Sequence, residues 1–182
     1  MPHECYAEPE LCIRSISTER TKPYSACNPV SRVCIVDRVG KCPFCDLDQR
    51  VLTESPAVMG SCFYCNASLR NRRLAVDHFV PWSLYPNDLG HNFVLADETC
   101  NAKKSDALAA VGHLETWCQR LDDHGPTLGV EFDSVGIIHD ESASRRVTSW
   151  TYSNAEQSSA RLWIKADDFE PIDATWRSVV RL

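Results

Sequence analysis

The clearest period in the chain runs from Leu108 to Leu121, where Leu108, Val111, Leu114, Cys118 and Leu121 recur every three or four residues. That spacing lays one apolar stripe along a helix. The helix, beginning near Cys100 or following directly on one that does, is expected to continue to Asp123, where Gly125-Pro126 stops it. Upstream, Leu74-Ala-Val-Asp-His-Phe79 reads as a strand ended by Val80-Pro81, and His91-Asn-Phe-Val-Leu-Ala96 reads as a second strand. Residues 82–90 between them form a loop, with Pro86, Asn87, Asp88 and Gly90 as breakers. Asp97 or Thr99 can cap the helix near Cys100. Cys62-Phe-Tyr-Cys65 followed by Asn66 reads as a knuckle turn.

The tail is weaker in pattern. Val147, Trp150 and Ala155 point to a helix, Arg161-Leu-Trp-Ile-Lys165 to a short strand, and Ile172, Trp176, Val179 and Val180 to a final amphipathic helix entered through Pro171. Its aromatics are assigned to core packing. Residues 1–59 show no sustained period and no fixed repeat. Their one candidate strand is Arg32-Val-Cys-Ile-Val-Asp37, ended by Val39-Gly40.

Composition narrows the class. A chain of 182 residues that is 43% apolar suits one compact domain, or one with an appendage, and excludes a purely disordered protein. No run of 18 apolar residues exists, so no membrane span is expected. The first residues lack a basic stretch followed by an apolar one, so no signal peptide is expected and the protein is placed in the cytoplasm. In that reducing compartment, ten cysteines argue for metal binding over disulfides.

The net charge of −6 excludes a protein that coats nucleic acid by bulk electrostatics. The charge is uneven. Residues 60–106 carry 5 positive and 5 negative side chains, with basic clusters at Arg70, Arg72, Arg73 and at Lys103, Lys104, whereas residues 107–182 carry 7 and 12. A nucleic-acid site must therefore be local. Arg70, Arg72 and Arg73 read as a solvated hairpin turn, with phosphate contact as the second reading.

Residues 62–106 hold, in order, Cys62-x2-Cys65, Asp77-His78, Asn92, Cys100-Asn101 and Lys104-Ser105-Asp106. On the expected strand, loop, strand and helix, Asp77 and His78 end the first strand, Asn92 starts the second, and Asn101 lies on the helix. Such a unit can gather these polar groups around one small volume, with cysteines pinning its ends.

This order and spacing resembles the HNH endonuclease family, through Val76-Asp-His-Phe-Val-Pro-Trp-Ser83, Asn92-Phe-Val-Leu-Ala96 and Cys100-Asn-Ala-Lys-Lys-Ser-Asp106. The resemblance covers residues 62–106, about a quarter of the chain, and not residues 1–59. It implies an α+β fold: a ββα-metal (HNH, treble-clef-like) finger over residues 60–108, followed by a mainly helical extension over 109–182 that packs on it. It also implies a divalent-metal-dependent endonuclease acting on DNA. A histidine titrates near neutrality and can take a proton from water. The resemblance gives this base role to His78. It makes Asp77 and Asn101 ligands for Mg²⁺ or Mn²⁺, a role their hard oxygens suit. It makes Asn92 the residue that holds loop and histidine in place. Lys104 is expected beside the phosphate as a point charge. The family name implies histidine where Asn101 stands; its amide oxygen can still bind metal.

For a structural zinc, the family pattern points to Cys62, Cys65, Asp97 and Cys100, with Asp97 where a cysteine or histidine is usual. A rival assignment is a four-cysteine ribbon, Cys42-x2-Cys45-x16-Cys62-x2-Cys65. The ribbon leaves Cys100 and the Asp-His to Asn series unexplained. Cys27, Cys34, Cys42 and Cys45 are a spacing-based candidate for a second zinc. The alternative function is a non-catalytic zinc module that binds nucleic acid or a protein partner.

Overall fold

The computed structural model describes residues 60–180. The candidate strand Arg32–Asp37 and the cysteines Cys27, Cys34, Cys42 and Cys45 lie outside the described residues. The described chain is mixed α and β, with two separate two-stranded antiparallel sheets and four helices. Strand β1 is Leu74–His78 and strand β2 is Phe93–Asp97, joined by a loop that ends in the 3-10 turn Gly90–Asn92. Helix α1, Glu98–Lys104, follows β2 without a break. Then come α2 (Val111–Val135), α3 (Glu141–Gln157), β3 (Arg161–Lys165), β4 (Asp168–Pro171) and the single turn α4 (Trp176–Val179).

The first sheet pairs Leu74 with Asp97 and His78 with Phe93. Asp77 and His78 are successive strand residues, so their side chains leave opposite faces of this hairpin. Helix α1 starts where the sequence calls for a cap: Asp97 is extended (φ −66°, ψ 136°) and accepts the Thr99 N–H. It ends at Ser105, whose positive φ of 51° turns the chain out of the helix. The knuckle Cys62–Cys65 closes through Cys62 N–H to Ala67 O (2.8 Å) and Asn66 N–H to Cys62 O (2.8 Å), with Asn66 at φ 56°. Phe63 N–H then joins Leu95 O at 2.9 Å, which seats the knuckle on β2.

Three expectations for the tail are corrected. Helix α2 does not stop at Gly125-Pro126 but carries both residues inside it and runs on to Val135, about two and a half turns further. An interior proline costs roughly 3 kcal/mol. Leu128 and Phe132 are fully buried beyond it, each contributing about 1.5–3 kcal/mol, and they decide the outcome. His124 is therefore a mid-helix residue, not a helix end. Second, Pro171 ends strand β4 instead of opening a helix, and only Trp176–Val179 is helical. The tail thus contains a hairpin as well as helices. Third, Trp163 and Trp176 are core residues, but Trp150 is 55% exposed.

One apolar core runs through the described residues, from Cys62, Tyr64 and Phe79 to Trp117, Leu121, Phe132, Tyr152, Trp163 and Trp176. Helix α2 is its spine. Trp117 stacks on Phe79 (5.0 Å between centroids, 8° between planes) and donates to His91 O at 3.2 Å. Arg120 donates to Phe93 O at 2.9 Å, and His91 Nε2 bonds the Gly125 carbonyl at 3.0 Å. The loop between the strands is therefore fixed by α2 from behind.

Gly90 sits where that loop crosses α2, and a Cβ there would lie 2.7 Å from Phe132 Cδ2. Gly90→Ala is expected to destabilise the protein by about 1–3 kcal/mol, the range for overpacking. In a Phe132→Ala background the same change should cost much less, because the ring it meets is gone. Urea unfolding of the two single variants and the double variant checks the coupling.

Candidate active site

The polar residues of the motif sit on and beside the first hairpin. Asp77 is 7% exposed, on the face of β1 that turns toward Tyr64 and α1. Its Oδ2 accepts the Tyr64 hydroxyl and lies 3.0 Å from Lys104 Nζ. Lys104, the last residue of α1, is 1% exposed and also donates to His78 O at 2.9 Å. Its ammonium therefore faces inward, between the Asp77 carboxylate and the backbone of β1, and not toward the solvent where a phosphate would approach. Burial pulls its pKa below the ordinary value, against the opposing pull of Asp77. Burial, then the Asp77 charge, pushes the Tyr64 phenol well above its ordinary value, so it stays a donor.

On the opposite face, His78 is half-buried. Its Nε2 lies 2.8 Å from Asp88 Oδ1, and its ring meets the edges or faces of Phe93 (5.0 Å) and Trp82 (5.7 Å). With Nε2–H donating to Asp88, Nδ1 is left as the proton acceptor. Asn92 bridges the loop: its Oδ1 accepts from Val80 N–H (2.8 Å) and its Nδ2 donates to Val80 O (3.0 Å). One side chain thus closes the segment that follows His78, while Phe79 N–H bonds Asn92 O at 2.8 Å. Asn101 lies mid-helix on α1, partly exposed.

Three sulfurs, Cys62, Cys65 and Cys100, lie within 4.8 Å of one another, with Cys62 buried and Cys65 exposed. The knuckle supplies two and the first turn of α1 the third. This soft donor set suits zinc. Asp97 does not join it. Its Oδ1 accepts the Thr99 N–H (2.9 Å), its Oδ2 meets Arg72 Nη1 (3.0 Å), and only its backbone N–H turns to the cluster, donating to Cys62 Sγ at 3.3 Å. Hydrogen bonding from Arg72, then from Thr99, holds the Asp97 carboxyl below the usual range. Burial, then the hydrogen bond with Cys65, pushes the Cys100 thiol up to about 12. Burial also raises Cys65, but the Ala67 backbone and the other two thiols outweigh it, leaving a net lowering.

Sequence reasoning missed three participants. Tyr64 reads only as the middle of a knuckle and Asp88 only as a loop breaker, while Arg72 reads as part of a solvated turn or a phosphate contact and not as the partner of Asp97. Asp88 had no local signal, because its approach to His78 depends on how the loop closes. Arg72 could have been sought, since a capping carboxylate across a hairpin end attracts a cation.

Cys65→Ser and Cys100→Ser are each expected to lower bound zinc by about one ion per chain, read by elemental analysis of the purified protein. Asp97→Ala should keep that zinc and lower the melting temperature through loss of the cap and of the Arg72 pair.

No curated protein and no solved structure matches the chain. Over residues 62–110, a stretch that holds the hairpin, α1 and the three-thiol cluster, the chain matches the family model described as HNH endonuclease.

Proposed function

We propose that this protein is a divalent-metal-dependent endonuclease that hydrolyses phosphodiester bonds in DNA, built on a ββα-metal finger pinned by a structural zinc. The observation that carries the reading is the His78–Asp88 pair (2.8 Å), which leaves one imidazole nitrogen free, beside a hairpin end fixed by Asn92 and Lys104. On this reading His78 Nδ1 takes the proton from the attacking water, and Asp88 orients the ring and stabilises the imidazolium that forms. Asn92 fixes the chain beyond His78, so the ring is not free to swing out with its loop.

Asp77 and Asn101 would hold Mg²⁺ or Mn²⁺. The donor set fits: both hydrogen-bond partners of Asp77 fall on Oδ2, which leaves Oδ1 for a cation, and Asn101 offers an amide oxygen. The ion would supply charge neutralisation at the phosphate and at the leaving 3′ oxygen, so products would carry 5′-phosphate and 3′-hydroxyl ends. Lys104 acts as a positioning residue, holding Asp77 and the His78 carbonyl. The net charge of −6 is compatible with DNA only through a local contact surface.

Wild type is expected to nick supercoiled plasmid with Mg²⁺ or Mn²⁺ and to lose the activity with chelator. His78→Ala should abolish cutting while DNA is still bound in chelator. Asp88→Asn should retain cutting at a rate lower by roughly 10–100-fold, consistent with loss of an orienting partner. Equal nicking by wild type and His78→Ala would contradict the assignment. Absence of cutting by either, with zinc bound and DNA retained, would favour the non-catalytic binding module.

A further inference from the structure

The described residues hold a shallow groove of about 310 Å³ beside the loop that carries Trp82 and Asp88. Its walls are Leu84 from that loop, Asp106 just beyond α1, Trp150 and Asn154 from α3, and Arg161 at the start of β3. It is therefore built largely outside the 62–110 stretch. Two of its lining residues are large exposed apolar side chains, Trp150 at 55% and Leu84 at 42%.

The face of α3 around Trp150 has a consistent chemistry. Arg146, Trp150 and Asn154 recur every four residues, so they share one side of the helix, and Arg161 continues the line after the helix ends. All four are exposed, although the Arg161 guanidinium also donates to Phe169 O at 2.7 Å and lies 5.7 Å from the centroid of the Phe169 ring. Arg146 makes no ion pair among the described residues. The acids of α3 are engaged elsewhere: Glu141 with Arg145 (2.9 Å), and Glu156 with Arg177 (2.8 Å) and the Trp176 indole (2.8 Å). Asp106 is the one carboxylate lining the groove. In a chain of net charge −6, this side presents arginines flanking an indole.

That combination matches a nucleic-acid strand whose bases are unpaired. An exposed indole gives a base a face to stack on, guanidinium groups neutralise phosphates, and an asparagine amide can pair with a base edge. In a duplex both faces of each base are already covered by its neighbours, so the indole selects against it. We propose that this groove holds an unpaired stretch of the DNA strand leading away from the cutting site, with one base stacked on Trp150 and the adjoining phosphates beside Arg146 and Arg161. The proposal rests on the nuclease reading, because the groove shares its loop with the residues that flank His78.

The test is fluorescence anisotropy of a short labelled single-stranded DNA, and of the same sequence as duplex, in chelator so that nothing is cut. Trp150→Ala should bind the single strand roughly tenfold more weakly or worse than wild type, and the duplex about equally. Trp150→Phe should retain most of the affinity and Trp150→Leu should not, which separates stacking from apolar burial should the alanine variant be less stable. Arg146→Ala should weaken binding and reduce the slope of log affinity against log salt by about one. Single-strand affinity unchanged in both Trp150→Ala and Trp150→Leu would overturn the proposal. So would equal losses on single strand and duplex, or a dimer in wild type that Trp150→Ala dissolves without affecting DNA. Wild type that cuts plasmid and binds as Trp150→Ala does removes the groove assignment alone. Wild type that neither cuts nor binds DNA removes the nuclease reading first.

Discussion

A single buried ammonium ties the candidate site together. Lys104 closes α1 against the end of β1 by meeting the Asp77 carboxylate and the His78 carbonyl at once, at 3.0 and 2.9 Å. Tyr64, from the knuckle, adds its hydroxyl to the same carboxylate oxygen. Three separate segments thereby share one buried polar centre. A charge buried in this way persists only when it is paired, so knuckle, strand and helix must come together in one arrangement. The cost of leaving either partner alone, about 3–5 kcal/mol for a buried pair, is what makes the arrangement specific.

From that centre the hairpin's own geometry distributes the chemistry. Asp77 faces inward because Lys104 and Tyr64 hold it there, and the alternation of β1 then obliges His78 to face the other way, toward Asp88, Phe93 and Trp82. Asn92 closes the backbone behind it. Helix α2 supports that closure through Trp117, Arg120 and Gly125, which bond the segment from His91 to Phe93. The long helix matters to the site for this reason, although none of its side chains enters it.

The parts legible in the sequence were those that rest on local rules. The strand through Asp77-His78, the cap at Asp97 and the knuckle spacing of Cys62 and Cys65 each depend on a few adjacent residues, and each appears where the pattern puts it. What the sequence hid depends on contacts between distant segments. Gly125-Pro126 reads as a helix stop until Leu128 and Phe132 are seen to be buried beyond it. Trp150 counts as a core aromatic by type, yet its neighbours on α3 are polar and it lies at the surface. Lys104, next to exposed Lys103, is expected beside a phosphate as a point charge, and only the approach of β1 turns it into a buried tether. Asp97 has the spacing of a metal ligand, but Arg72 across the hairpin claims its carboxylate.

The most direct test of this account is a double-mutant cycle between Lys104 and Asp77, read by urea unfolding of Lys104→Met, Asp77→Asn and the combined variant. A buried pair that joins α1 to β1 predicts that each single change is strongly destabilising, and that the double variant costs less than their sum by more than about 1 kcal/mol. Effects that add within about 0.5 kcal/mol would mean that the two side chains do not share a buried bond, and would contradict it.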